Sequence, residues 1–316
     1  MSASPATPDP DAPDAPRRLA VRLRHRLEYG LFRALEGLVR LLGPDRASAL
    51  SGRLWRLAAP RTRRHARALE NLARAFPEMD AAQRERIARA MWENLGRVMA
   101  EGLLIDRIID EGRVQPGATG LAILAEARGR GVYASMHYGN WELTAWPLTA
   151  GGCRTAGIYR PLDNPLLDAR IAALRHRIYV DGLFGKGEGS PRRLFTHARA
   201  GHPIVMLADL REMRGIAVPF FGHAAPSTPL PAMVARSLDL PLVAARTVRE
   251  GGVRFRVEAE PVPVPRTADR DADIMAATAA LHAVFERWIR EDPAQWMWAH
   301  RRWDPSPTPG RWRRRR

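Results

Sequence analysis

The sequence predicts an α/β protein with a mixed central sheet flanked by helices and a helical N-terminal region. In the first hundred residues, apolar side chains recur at spacings of three and four, which is the period of an amphipathic helix. Beyond Gly117 they form short apolar or alternating runs typical of strands, and helix-like stretches separate most of these runs. Of the 316 residues 46% are hydrophobic, so the chain can bury a substantial core. Cys153 is the only cysteine, so no intramolecular disulfide supports that core.

The N-terminus contains two different segments. Residues 1–16 are polar, acidic and rich in proline, without the basic and apolar regions of a secretory signal, and we predict a disordered lead-in. Residues 17–45 predict an amphipathic helix with the leucine stripe Leu23, Leu27, Leu31, Leu35, Leu38 and Leu42. A spanning helix needs about 20 mostly uncharged residues, and Arg33, Glu36 and Arg40 interrupt this one. Two interpretations stay open: the helix lies at a membrane surface, or it packs on the protein's own core.

The remaining elements form one body over residues 46–303. Helices are expected over residues 47–57, 66–75 and 81–104. Strands are expected in the runs GVYASM, PIVMLA, PLVAARTV and VRFRVEAE. Asn164 and Pro165 predict the start of one further helix, and Ser190 and Pro191 that of another. Residues 304–316 form a basic tail.

The formal charge of +16 is concentrated at the two ends of the chain. Residues 17–67 contain 14 arginines and three acids, and residues 299–316 contain seven arginines and one acid, so the rest is nearly neutral. This asymmetry favours contact with an anionic membrane surface, and no nucleic-acid partner is expected. We interpret Trp303 and the RWRRRR tail as interfacial for the same reason, although Trp296, Trp298 and Trp303 can also pack beneath the final strand.

Three histidines are followed five positions later by an acid, whereas chance produces about one such pair in this composition. The pairs are His65 with Glu70, His176 with Asp181, and His137 with Glu142. The first two lie in helical stretches, where a separation of five residues turns the side chains apart. Only the third pair follows a strand-like run, at the strand end where open α/β sheets place their sites.

The stretch SMHYGNWELT therefore predicts a catalytic base. A bend at Gly139 and a helix capped by Asn140 allow Glu142 to reach back to the imidazole of His137. A carboxylate on one ring nitrogen leaves the other free to take a proton from a hydroxyl. The alternative from spacing alone is a structural histidine near a helix N-terminus.

Five motifs in order resemble the late acyltransferases of lipid A biosynthesis. They are H-x-G-N-W-E at 137–142, YRPLDNPLLD at 159–168, DL at 209–210, VPFFG at 218–222 and QWMWAHRRW at 295–303. The resemblance implies transfer of a fatty acyl chain, usually from acyl carrier protein, to a hydroxyl of a lipid A precursor. It places the protein at the cytoplasmic face of the inner membrane and implies no cofactor.

The resemblance also implies roles for individual residues. His137 matches the general base and Glu142 its partner. The positions matched to substrate binding are Arg160, Asn164, Arg175 and Asp209. Asn164 can instead be only the cap of its helix, and Arg175 an exposed helical arginine. Leu210 stands where the family usually has Gln, and Leu230 where it usually has Gly, so the identity of the acceptor is open.

Other kinds of site find no support in the sequence. No group of His, Cys and Asp has the spacing of a metal site, and GKGEGS at 185–190 lacks the spacing of a phosphate-binding loop. The alternatives to a lipid A acyltransferase are an acyltransferase for another glycolipid or an aminolipid, and a non-catalytic membrane-peripheral binding protein.

Overall fold

The computed structural model of the protein describes residues 15–127, 129–185 and 190–303. Most of the predicted lead-in and the whole basic tail lie outside these residues. The helices are α1 (Ala15–Ala58), α2 (Arg63–Ala75), α3 (Ala81–Glu101), α4 (Ile105–Asp110), α5 (Ala118–Ala127), α6 (Trp146–Ala150), α7 (Pro165–Arg175), α8 (Ser190–Arg199), α9 (Leu230–Ser237) and α10 (Arg270–Glu291). Single 3-10 turns occupy Ala59–Arg61, Trp141–Leu143 and Pro293–Gln295.

The strands form one large sheet and one hairpin. They are β1 (Val114–Pro116), β2 (Val132–Gly139), β3 (Ala156–Tyr159), β4 (Leu183–Gly185), β5 (Ile204–Leu207), β6 (Arg211–Phe220), β7 (His223–Ser227), β8 (Leu242–Gly251) and β9 (Arg254–Val262). The seven-stranded sheet has the order β1-β9-β8-β2-β5-β3-β4, and β6 pairs with β7 in the hairpin. Only the pairing of β8 with β9 is antiparallel in the large sheet. The predicted mixed sheet flanked by helices is confirmed.

Helix α1 packs on the body with one face and exposes apolar side chains on the other. The helix is kinked at Gly43, whose φ of 76° is left-handed, immediately before Pro44. On one face the buried Glu36 pairs with Arg170 of α7 and Arg40 pairs with Asp106 of α4, and these two ion pairs tie α1 to the body. The other face exposes a row of leucines, including Leu27, Leu31, Leu35, Leu38 and Leu41. Among the described residues, no helix is long and apolar enough to cross a membrane.

Strand β2 lies at the centre of the sheet, between β5 and β8, and every residue in it except His137 is buried. A strand covered on both faces reads as a continuous apolar run, as GVYASM does. Helices α2, α3, α9 and α10 contribute to the core on one face of the sheet, and α4 and α6 to that on the other. Because β2 cannot move within this double core, it is a rigid support for the side chains at its carboxyl end.

The C-terminal tryptophans belong to the core. Trp303 is only 5% exposed, stacks on Phe220 and donates its indole N–H to the Phe220 carbonyl at 3.3 Å. Arg302 is also fully buried and donates to the carbonyl of Pro226 and the hydroxyl of Ser227. The interfacial position predicted for Trp303 is therefore wrong, because an aromatic pocket already covers its ring.

Candidate active site

The register of the parallel strands β2 and β5 decides which residues lie side by side at the centre of the site. Ser135 pairs with Leu207, and the N–H of Ala208 continues the ladder to the carbonyl of Ser135 at 2.8 Å. The same offset places Asp209, two residues past the end of β5, beside His137 near the carboxyl end of β2. The carboxyl ends of parallel strands are where α/β sheets gather their functional side chains.

His137 and Asp209 are joined by two hydrogen bonds. Nδ1 of the imidazole lies 2.9 Å from Oδ1 of Asp209, and the backbone N–H of His137 donates to Oδ2 at 2.9 Å. Trp296 donates its indole N–H to the same Oδ2, also at 2.9 Å. The carboxylate is 1% exposed, so all three interactions are shielded from water.

This environment keeps Asp209 ionised. Burial opposes its charge, but the charge and hydrogen bonds of His137 and the indole of Trp296 hold the pKa of Asp209 well below its ordinary value. An ionised carboxylate only accepts hydrogen bonds, so Nδ1 of His137 carries the proton. Nε2 is then left as the nitrogen that can accept a proton from a substrate.

The turn after β2 is fixed by Gly139 and Asn140. Gly139 has a φ of 55°, and a Cβ on it would lie 1.7 Å from the carbonyl oxygen of Thr247 on β8, so no other residue fits. The side chain of Asn140 does not cap the following turn, contrary to the prediction. It donates instead to Glu101 at 2.8 Å, and Glu101 is fully buried and ion-paired with Arg249.

Glu142 occupies a different position from the one predicted. Its carboxylate forms a bidentate pair with Arg175 of α7, with both N···O distances at 2.6 Å. In the described part of the chain, Glu142 forms no hydrogen bond with His137. The physical reason is the turn at residues 141–143, which directs Glu142 towards α7, while the Asp209 carboxylate occupies Nδ1 of His137.

Glu142 and His137 nevertheless face one cavity of about 540 Å³, a size typical of small-molecule sites. Arg160, which is exposed, and Arg175 also line it. The apolar part of the wall comes mainly from Ile158, Ile171, Leu183, Val205, Met206 and Leu207. The cavity thus combines a base, cationic groups and an apolar wall.

Asn164 has a structural position. Its Oδ1 accepts the N–H of Leu166 at 3.0 Å, which is the predicted helix cap. Its Nδ2 donates to the carbonyl of His25 and to the carboxylate of Glu28, both on α1. Both amide hydrogens are used within the protein and the residue is buried, so this geometry leaves no donor for a substrate.

The sequence of the chain matches one known protein family. The family model described as bacterial lipid A biosynthesis acyltransferase matches residues 20–304 of the chain. The chain belongs to this family. A search of curated proteins gave no significant match. Acyl transfer in lipid A biosynthesis is therefore the activity that family membership supports.

The two departures from the family motifs both border the cavity that His137 faces. Leu210 directly follows Asp209, and Leu230 is the first residue of α9. Each adds an apolar side chain to the wall where the family motif has an amide or no side chain. Among the described residues, no group of His, Cys, Asp and Glu is arranged to hold a metal ion.

Sequence reasoning missed two features of this candidate site. The first is the hydrogen bond from Trp296 to Asp209, for which the only signal was a tryptophan within the QWMWAHRRW motif. The second is His300, whose ring centroid lies 5.3 Å from that of His137. The segment carrying both residues runs along the end of β2, where the N–H of Met297 donates to the His137 carbonyl at 3.0 Å. Such long-range packing leaves no local pattern.

Proposed function

We propose that the protein transfers a fatty acyl chain from an acyl carrier protein thioester to a hydroxyl of a lipid A precursor. The observation that carries this proposal is the His137–Asp209 pair at the edge of the cavity, in a chain of the acyltransferase family. A histidine held in one tautomer by an ionised carboxylate is the arrangement that acyl transfer to a hydroxyl requires.

In the proposed mechanism His137 acts first as a base and then as an acid. Nε2 takes the proton of the acceptor hydroxyl while the hydroxyl oxygen attacks the thioester carbonyl carbon. This attack gives a tetrahedral oxyanion. Asp209 stabilises the imidazolium formed in this step. Collapse of the intermediate breaks the C–S bond, and the imidazolium returns the proton to the leaving thiolate. The products are an ester and the free thiol of the carrier, and no acyl-enzyme is needed.

Glu142 and the cavity arginines have supporting roles in this proposal. The pair of Glu142 and Arg175 fixes one wall of the cavity, and a catalytic role of Glu142 stays a prediction. Arg160 is exposed and lines the same cavity, which suits contact with a phosphate on the acceptor or donor. The apolar wall suits the acyl chain.

We further propose that the protein works at the cytoplasmic face of the inner membrane through α1. The exposed leucines of α1 lie among arginines, a composition suited to the interface of an anionic bilayer. Co-sedimentation with anionic vesicles tests this: Leu27→Glu combined with Leu31→Glu should weaken binding strongly, whereas equal binding would contradict it.

The test of the activity is transfer of radiolabelled acyl groups from a panel of carrier-protein thioesters to a lipid A precursor in detergent. We expect His137→Ala to abolish turnover without loss of folding. His176→Ala is the matched control, since it has the same spacing to an acid, Asp181, and is exposed on the surface. Near-normal activity of His137→Ala would contradict the mechanism.

The acceptor panel also includes another glycolipid and an aminolipid, because Leu210 and Leu230 change the wall of the cavity. Transfer to one of these and not to the lipid A precursor would keep the chemistry and change the acceptor. Absence of transfer to every acceptor would favour a non-catalytic membrane-binding protein.

A further inference from the structure

A second cavity lies beyond Leu210 and Arg211, which border both it and the active-site cavity. Its volume is about 340 Å³. Four of its lining residues are arginines, namely Arg64, Arg67, Arg211 and Arg301, and none is an Asp or Glu. We call this the arginine cavity. Its lining therefore carries cationic side chains without an anionic one.

Three of the four arginines in the arginine cavity have no acidic partner in the part of the chain that the structure describes. Within the described residues, Arg64, Arg67 and Arg301 form no ion pair with a carboxylate. Among the same residues, Arg67 makes a single long hydrogen bond, to the carbonyl of Ala299 at 3.4 Å. By contrast, Arg97 on the neighbouring helix α3 is paired with Glu93 at 2.7 Å. Guanidinium groups that line one cavity repel each other, and a bound anion offsets that repulsion.

The arginine cavity also adjoins the reacting centre. His300 lines it, and the ring of His300 lies against that of His137. Burial, together with the charges of His137, Arg64 and Arg67, lowers the pKa of His300 to about 4. His300 is therefore neutral at physiological pH, and the arginines supply the charge of the cavity.

We infer that the arginine cavity binds a phosphoryl group carried by one of the two substrates of the acyl transfer. Guanidinium groups bind phosphate oxygens through paired, charge-assisted hydrogen bonds, and two or more of them can share one phosphate. The inference rests on the proposed function. Two sources have this chemistry: the phosphodiester that joins the thiol arm to the carrier protein, and a phosphate on the lipid acceptor.

Direct binding tests the inference without turnover. In the His137→Ala protein, we expect phosphopantetheine or the phosphorylated lipid to bind at least tenfold more tightly than the same molecule without its phosphate. Adding Arg64→Gln and Arg301→Gln should remove this difference, since each arginine supplies charge-assisted hydrogen bonds. Arg63→Gln is the matched control, because Arg63 is exposed on the same helix but does not line the cavity.

Kinetics then identify the source. If the donor phosphodiester binds here, the double variant should raise the KM for the carrier-protein thioester about tenfold. The KM for an acyl-pantetheine thioester, which has no phosphate, should not change. If the acceptor phosphate binds here, the same contrast should appear between the phosphorylated and the dephosphorylated acceptor.

Two results would overturn the inference. One is equal binding of the phosphate-bearing and phosphate-free molecules by the protein that retains all its arginines. The other is an equal effect of the double variant and of Arg63→Gln on every substrate. Failure of the proposed function is a different result, because an enzyme that transfers no acyl group can still show the phosphate-dependent difference in binding.

Discussion

The two carboxylates of the site differ in what surrounds them. Asp209 is 1% exposed, and its hydrogen bonds come from the indole of Trp296 and from the backbone and ring of His137. Glu142 lines the open cavity, and its charge is matched by the guanidinium of Arg175. A carboxylate that no arginine neutralises can stabilise positive charge that develops on an imidazole, whereas one already paired with an arginine does so much less. The surroundings of each acid, rather than its spacing in the motif, indicate its role.

The largest expected effect comes from Asp209→Asn. The backbone N–H of His137 and the indole of Trp296 both donate to one oxygen, so the asparagine oxygen should take that place. Its NH₂ group then faces Nδ1 and forces the histidine proton onto Nε2, where it blocks the base. We expect kcat to fall about 10³- to 10⁴-fold, as for the same change in a Ser-His-Asp triad.

The control for this variant is its stability, measured by chemical denaturation. A folded Asp209→Asn protein with near-normal kcat would contradict the assignment of Asp209. If Glu142→Gln abolished turnover in the same assay, Glu142 would be the acid that orients His137 during the reaction, and the comparison would be reversed.

A smaller effect is expected for Glu142→Gln. The amide keeps the shape and one hydrogen bond to Arg175 but removes the charge, so Arg175 remains in the cavity wall without an anion. We expect kcat/KM to fall about 10- to 100-fold, corresponding to about 1.4 to 2.7 kcal/mol of lost transition-state stabilisation. Steady-state kinetics with the donor and acceptor varied in turn measure it.

The pairing itself predicts non-additivity. Arg175→Gln should cause a loss similar to that of Glu142→Gln, and the double variant should lose little more than either single one, since both changes remove the same interaction. Losses that multiply in the double variant would show that Glu142 acts through a group other than Arg175.

The sequence predicted the fold well because the fold depends on local patterns. The runs GVYASM and PIVMLA became β2 and β5, and Asn164 began the helix that its cap predicted. It also located His137 at a strand end. What it could not give was the register between β2 and β5, which alone decides that Asp209, 72 residues away, lies beside His137. The local spacing favoured Glu142 because a short motif contains no information on distant strands.

At the two ends of the chain, too, what the sequence left undecided depends on long-range packing. Tryptophan is common both at lipid interfaces and in cores, so composition could not decide whether Trp303 meets lipid or Phe220. For α1 the pattern correctly gave an amphipathic helix, but the burial of Glu36 depends on its ion pair with Arg170, on a helix more than a hundred residues further along. Ion pairs of this kind are properties of packing and have no signature in the helix itself.

The pH dependence of stability distinguishes Asp209 from the buried His282, because the two side chains titrate in different pH ranges. His282 is fully buried, and burial together with the charge of Arg302 lowers its pKa to about 3. Since an unfolded histidine titrates near pH 6.5, the unfolded state binds more protons below that pH. The contribution to stability is complete above pH 6.5 and is lost as the pH falls towards 3. At pH 5 we expect a loss of about 2 kcal/mol in the free energy of unfolding from this residue.

Denaturation at pH 7.5, 6 and 5 measures this loss. His282→Gln should show a shallower pH dependence than the wild type. Asp209→Asn should keep the wild-type slope, because the pKa of Asp209 is depressed: its contribution is complete above about pH 4, the unfolded value, and is lost only at lower pH. A steeper slope for Asp209→Asn between pH 7.5 and 5 would mean that this carboxylate takes up protons there in the folded protein, and its ionised state would have to be abandoned.

The smallest effect is expected for Trp296→Phe, which removes one of the three donors to Asp209 and keeps most of the aromatic ring. Asp209 then holds its charge less well and positions the imidazole less firmly, so kcat should fall up to about tenfold.

Trp298→Phe is the matched control: Trp298 is equally buried, but its indole N–H donates to the carbonyl of Pro293 at 2.7 Å. Both variants lose one buried hydrogen bond, so their stabilities should fall by similar amounts, about 1 kcal/mol. Only Trp296→Phe should also lower kcat, because only its indole touches the carboxylate that orients the base. An equal loss of kcat in the two variants would mean that the tryptophans support packing alone, and that Asp209 needs no more than His137 to stay in place.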